Sequence, residues 1–473
     1  MSLARNTLLY MPAQVIGPLA QFAATVAWTH YVAPSAFGIV TFVIAAQDMT
    51  SVLGIVWWSM FVVRFQSRYA GDEDVKFRSM DSRMVAVAAL FQALLSVPAL
   101  AAIGAPLSPG LVAATFAFLA TRTLTNHYSE WARARHAIAV YTLGQLAAPL
   151  LAAALSLAGA VAFGGDPAVV LGAMALGQGA ALLAVMALLR TPLPARAFDM
   201  GILKAAWRYG LPLVASGVLL WVATNVARLA VQYALGADMV GTFSAGWGIG
   251  LRLAGVLSML CTAAAFPLAV QRLESGDRDG AARQVSLNMA LMAGLLIPAV
   301  VGVAFLSPAL ALLFIAEPFR AATAVILPIA TLTAALRALR IHTGDQMGLL
   351  LERTGTMMAF NAADAALSVA LTGIGVAVGG MVGAAVGTLA AAAFALAASS
   401  LYIVRRLSFR PATGALVRIG AATATMALVL VIAPQPRDVP HLLALIALCV
   451  VAYAAMIGLL FQTDARVLRA RWA

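Results

Sequence analysis

Apolar residues run through this chain in long blocks. Stretches of about 18 to 25 residues, enough to cross roughly 30 Å of hydrocarbon as a helix, recur from one end to the other. They lie near 10–33, 37–63, 84–104, 109–126, 138–163, 168–189, 211–234, 242–266, 286–306, 319–339, 356–377, 381–404, 419–433 and 441–461. The thirteenth block is the shortest. The pattern predicts an all-α polytopic membrane protein of about fourteen transmembrane helices.

Composition strengthens that reading. Of 473 residues, 63% are hydrophobic and 10% charged, with a mean hydropathy of +0.95. A water-soluble domain cannot bury that much apolar surface. The net charge of +12 suggests nucleic acid until its placement is considered. Of 30 Lys and Arg residues, 24 fall in the N-terminus, alternate loops and the C-terminal tail, while the opposite loops hold Arg320 and Arg437. This is the positive-inside asymmetry, and it predicts both termini in the cytoplasm. Nucleic acid is not an expected partner.

Several absences narrow the function. The two lysines, Lys76 and Lys204, lie outside any phosphate-binding loop, and the five histidines show no metalloprotease spacing. Cys261 and Cys449 both sit in apolar blocks, which implies no disulfide framework. The connections are too short for a catalytic domain. The expectation is therefore a transporter and not an enzyme, with no cofactor or metal beyond a coupling proton or sodium ion.

An internal repeat organises the chain. Pro12, Phe37-Gly38 and Phe61 in the first two blocks correspond to Pro212, Val240-Gly241 and Phe266 in blocks seven and eight, at offsets of 200, 203 and 205. This predicts an N-lobe at 1–208 (helices one to six), a C-lobe at 209–404 (helices seven to twelve) and a C-terminal helix pair at 405–473. Two parallel bundles related by a pseudo-two-fold axis, with a substrate site between them, form a recurrent carrier plan.

Polar residues inside the blocks fall three or four apart, on one helix face. Block seven carries Trp221, Asn225, Arg228 and Gln232; block eight carries Ser244 and Arg252; block one carries Gln21, Thr25 and Trp28. Block two carries Asp48, Ser51 and Trp58, and block eleven carries Asn361, Asp364 and Ser368. Taken singly, such stripes also serve as interhelical packing. Arg122 and Arg337 fall within about a turn of the inner ends of their blocks, where a long side chain snorkels to water. Arg252 lies roughly 15 Å from its outer turn, so it needs a cavity or a partner. Asp364 reads either as a proton or sodium site, together with Asn361, or as an arginine counter-charge. The stretch from His127 to His136 reads as a solvated inner turn.

The Y-G-L-P-L at Tyr209, the polar spot before Arg228, the G-A-D-M-V-G-T-F-S-A at Gly236 and the A-P-S-A-F-G at Ala33 resemble polysaccharide flippases. These are the O-antigen and exopolysaccharide members of the multidrug/oligosaccharidyl-lipid/polysaccharide exporter superfamily. One departure is that Ala227 precedes Arg228, where the family often has an acidic residue. The resemblance implies an alternating-access carrier in the bacterial inner membrane. Its cargo would be an oligosaccharide linked to a lipid diphosphate, moved from the cytoplasmic to the periplasmic leaflet. Implied partners are membrane lipids, a polysaccharide polymerase and glycosyltransferases. Guanidinium groups bind phosphate oxygens bidentately, so Arg228 and Arg252 are the expected anion ligands. Trp221, Asn225, Gln232, Asp48, Gln21 and Ser244 are the expected lining. The alternatives are a cation-coupled small-molecule exporter, which would favour acidic cavities, and a lipid II flippase. Relatives of the latter carry arginines in the first span, and residues 10–33 have none.

Overall fold

The structure is a computed structural model that describes residues 3–69, 72–190, 198–351, 353–407 and 409–462. Arg196 and the tail arginines Arg466, Arg469 and Arg471, part of the expected inner charge, lie outside the described residues. Among the described residues every regular element is helical. Eleven helices among the described residues are long and apolar enough to cross a membrane.

The first unit holds α1 (Leu3–Trp28), α2 (residues 34–65), α3 (Asp72–Ala101), α4 (Pro109–Ala134), α5 (Ile138–Ala162), α6 (Pro167–Leu189) and α7 (Met200–Leu235). Prolines at the first helical positions of α4 and α6, and the side chains of Ser108, Asp166 and Asp199 capping α4, α6 and α7, set the entries. α2 is not a uniform α-helix. It runs as Pro34–Ser51, then a π turn at Val52–Val56, then Trp57–Phe65.

The second unit holds most of α8 (Ala237–Glu274), then α9 (Arg278–Phe314) and α10 (Glu317–Arg340), which continues through a π turn at Ile341–Asp345 into Gln346–Leu350. The helical stretch Thr354–Arg406 is broken at Gly379 and Gly380, where Gly380 takes φ +57; we label its halves α11 (354–378) and α12 (381–406). A positive φ there suits glycine, and it turns what would be one long helix into the expected pair. α13 (Thr413–Ile432) and α14 (Val439–Leu460) pack on α9, with the Tyr453 hydroxyl donating to the Gly294 carbonyl at 2.7 Å.

Contacts divide the chain into Met1–Ser244 and Ala245–Ala473, with the boundary inside α8. The reason is local packing. Gly210 and Gly217 of α7 abut Trp57 and Val52 of α2, and Trp221 donates to the Ala45 carbonyl at 2.7 Å. The start of α8 belongs with them because Gly38 and Gly241 let the two helix starts touch. A Cβ on Gly38 would crowd Ala237 and Val240, and one on Gly241 would strike Pro34. These are the two glycines at equivalent turns of the sequence repeat.

Three expectations are corrected. α4 does not end near residue 126 but runs to Ala134. His127 is 1% exposed and belongs to a packed helix face, not a solvated turn. The block-two stripe is split: Asp48 is exposed, Ser51 turns inward and Trp58 is fully buried beyond the π turn. Arg337 does not snorkel; it is 3% exposed and paired inside the second unit.

Candidate functional site

In the first unit, α2, α4 and α7 carry Asp48, Arg122 and Arg228 inside their helices. Asp48 lies 3.9 Å from Arg122, the Asp48 side chain 59% exposed and that of Arg122 21% exposed. A carboxylate this open within a spanning helix has to face water or a polar ligand, because acyl chains do not solvate it. Arg122 was expected to snorkel; instead it sits mid-helix beside an acid.

The wall behind this pair is a rigid polar lattice. The Gln47 amide donates to Ser51 at 2.6 Å and to Thr123 at 3.1 Å; the Gln92 amide donates to Thr123 at 2.5 Å; Ser51 and Thr123 hydroxyls lie 2.8 Å apart. Since Gln47 precedes Asp48 and Thr123 follows Arg122, these bonds between α2, α3 and α4 hold both charged residues in register. On α7, Arg228 Nη1 donates to Asn225 Oδ1 at 2.8 Å, and the Asn225 amide donates back to the Trp221 carbonyl at 3.1 Å.

Two guanidinium nitrogens here have no hydrogen-bond partner. Arg122 Nε and Arg228 Nε are both buried and lack an acceptor. Unused guanidinium donors at low solvent exposure are costly to leave unpaired. An oxyanion with several oxygens supplies what they lack.

The remaining expected lining divides by role. Trp221 is committed to Ala45, and the Gln232 amide to the Ile103 carbonyl at 2.8 Å, so both tie α7 to neighbouring helices. Gln21 is half-buried on α1, its carbonyl taking the Thr25 hydroxyl. Ser244 is 1% exposed, buried within packing instead of on an open face. Arg252 is half-buried on α8, in the second unit.

Asp364 and Asn361 sit in a separate cluster inside the second unit. Arg337 Nε and Nη2 each reach an Asp364 oxygen at 3.1 Å, and Nη2 also donates to Ser368 at 2.9 Å. Arg340 donates to Asn361 at 2.7 Å and lies 3.6 Å from Asp364 and 3.5 Å from Asp345. Two arginines and two aspartates form a buried set of balanced formal charge in which Asp364 faces both Arg337 and Arg340. Among the described residues no cluster of His, Cys, Asp or Glu could hold a metal.

A third group was not anticipated from sequence. Asp81 of α3 accepts from Trp58 Nε1 at 2.7 Å and lies 3.1 Å from His127 Nε2; His127 Nδ1 in turn lies 2.8 Å from the Ser59 hydroxyl. Asp81 also lines a cleft with Arg78, Tyr128, Trp131 and Arg135. Arg135, just beyond α4, has its pKa held below the usual guanidinium range, by burial first and by the nearby charge of Arg78 second. Only the aromatic run around Trp57-Trp58 hinted at a packed centre here.

Comparison with known proteins bears on the family and the fold. The sequence profile of a family described as "Polysaccharide biosynthesis protein" matches residues 3–273. No curated protein sequence matches the chain. Among solved structures, a lipid II flippase MurJ in an inward closed conformation is similar with a TM-score of 0.77 at 15% identity, covering 97% of this chain and 100% of that one. An inward-facing multidrug resistance MATE family transporter of the MOP superfamily gives 0.59 at 16% identity, covering 85% and 98%. A Vibrio cholerae MATE transporter mutant gives 0.56 at 18% identity, covering 86% and 99%. At these identities the likeness concerns the fold.

Proposed function

Because the chain belongs to the polysaccharide biosynthesis protein family and is a multi-pass membrane protein of the MurJ and MATE fold, we propose that it is an alternating-access flippase. Its cargo is an oligosaccharide linked to a lipid diphosphate, carried from the cytoplasmic to the periplasmic leaflet of a bacterial inner membrane. Both termini are cytoplasmic, as the charge asymmetry requires. The protein acts as a carrier and not as an enzyme, working beside the glycosyltransferases that build the glycan and the polymerase that extends it.

One observation carries this reading. Arg122, 3.9 Å from an exposed Asp48, and Arg228, bonded to Asn225, each keep a buried Nε donor without an acceptor. A diphosphate presents several anionic oxygens, and a cationic exporter substrate presents none. Asp48 would then hold Arg122 while no cargo is bound, and the diphosphate would replace it. Arg252, in the second unit, is a further candidate anion ligand.

The test is complementation. In cells lacking the chromosomal copy, Arg228→Ala and Arg122→Ala should each lower surface glycan roughly 10- to 100-fold, the range of one charge-assisted hydrogen bond, at unchanged protein level. Lysine at either position should recover part of the loss, since the point charge remains but the fork does not. Full surface glycan in the doubly substituted protein would dismiss the cluster as the anion site.

A further inference from the structure

The Ser59–His127–Asp81 chain contains one more hydrogen-bond demand than a neutral histidine can meet. The Ser59 hydroxyl lies 3.1 Å from the Ile55 carbonyl and 2.8 Å from His127 Nδ1, while His127 Nε2 lies 3.1 Å from Asp81 Oδ1. One hydroxyl hydrogen cannot serve both Ile55 and Nδ1. If it goes to Ile55, Nδ1 must carry the proton that reaches Ser59. Nε2 must then carry a proton as well, since a bare Nε2 would set its lone pair against a carboxylate oxygen. That state is an imidazolium, satisfied on both sides.

The neutral alternative is also definite. Nε2–H still donates to Asp81, the Ser59 hydroxyl turns to Nδ1, and the Ile55 carbonyl loses its side-chain donor. Passing between the two states binds or releases one proton at Nδ1 and moves one hydroxyl hydrogen between Nδ1 and Ile55. We propose that His127 is a proton-binding site wired through Ser59 to the π turn of α2.

The wiring comes from position. Ile55 lies inside the π turn Val52–Val56. A π turn is an inserted residue in an α-helix and tends to mark functional sites. Serine bonding back to the carbonyl four residues earlier bends a helix and weakens its regular ladder. Protonation therefore favours the irregular turn, and deprotonation favours its return to α-helix. Removing one inserted residue rotates the segment before the turn by roughly 100° relative to the segment after it. Asp48 lies in the first of these segments, four residues before the turn, so the same event turns it away from Arg122.

The surroundings suit a titrating group. His127 is 1% exposed, and its partner Asp81, 5% exposed, lines a small cleft with Arg78, Tyr128 and Arg135. The charged and titratable neighbours are Asp81 and Arg78 on α3, Tyr128 and Glu130 on α4, and Arg135 beyond it. α2 contributes the uncharged Ser59 and Trp58. The effect on transport rests on the carrier reading above; the titration itself does not.

The experiment uses the full chain in nanodiscs, with isotope-labelled histidine, of which there are five, and His127→Gln to assign the signal. The His127 ring signal is followed from pH 5 to pH 9 and should shift as the proton binds. Asp81→Asn should lower its midpoint by roughly one to three pH units, the effect of losing an adjacent opposite charge. Backbone hydrogen exchange over residues 48–60, corrected for intrinsic pH dependence, should change at the same midpoint and become pH-independent in His127→Gln. A His127 signal that does not move across this range would overturn the proposal, as would protection over 48–60 that keeps its pH dependence in His127→Gln. Neither measurement uses the lipid-linked cargo, so failure here leaves the flippase reading standing.

Discussion

Replacing Asp364 with leucine isolates the energetics of the second unit. The carboxylate is 1% exposed and takes both nitrogens of the Arg337 fork at 3.1 Å, with Arg340 3.6 Å away. Leucine fills similar volume but leaves Arg337, 4% exposed along its side chain, with only Ser368 as acceptor. Arg340 keeps Asn361 and Asp345, so most of the loss falls on Arg337. Breaking one partner of a buried pair costs about 3 to 5 kcal/mol, because a charge is stranded and not because the pair was itself worth that much. The double substitution Arg337→Met with Asp364→Leu removes both charges and should return to within about 1 kcal/mol of the parent. Unfolding by chaotrope in nanodiscs reads both values. A single substitution costing under about 1 kcal/mol, or a double one as damaging as the single, would refute the counter-charge assignment. If Asp364→Asn instead left stability intact and removed sodium or pH dependence from transport, Asp364 would be a coupling site.

Packing and topology supply the other predictions. Gly387 packs its Cα against the Leu371 backbone, whereas Gly373 faces open space; Gly387→Ala should sharply lower folded yield and Gly373→Ala should not, as read by size-exclusion profiles. Trp221→Phe removes the donor to Ala45 and should cost about 1 kcal/mol, measured by the same chaotrope titration. In a background lacking Cys261 and Cys449, single cysteines at the exposed positions Gly164, Gly236 and Gln435 should label from the periplasm, while those at Lys76 and Ser275 should not. Labelling of Ser275→Cys from outside would break the fourteen-span topology.

The spans were legible because hydrocarbon imposes a length. All fourteen apolar blocks have a helical counterpart, and most errors are helices that outrun their block: Ala237–Glu274 against 242–266, and Arg278–Phe314 against 286–306. Helices continue past the apolar block, where polarity no longer reports them. α4 was cut short for the same reason, since His127 and Ser129 read as solvent-facing although both are buried. The pairs that build the sites were not legible. Asp48 with Arg122 and Asp81 with His127 join residues far apart in the chain, and nothing local marks them. The π turns were invisible too, and they mattered: Asp48, Ser51 and Trp58 share a face only on an unbroken helix. Arg228 and Asn225, on uninterrupted α7, were read from spacing alone and do bond to each other.

The most direct test of the flippase account is transbilayer movement itself. Purified protein in sealed vesicles, supplied with a lipid diphosphate carrying a fluorescent oligosaccharide, should move the label to the opposite leaflet; the protein with both Arg122→Ala and Arg228→Ala should leave it where it began. Equal movement by parent and doubly substituted protein, or movement of the diphosphate lipid no faster than that of an uncharged glycolipid, would contradict it.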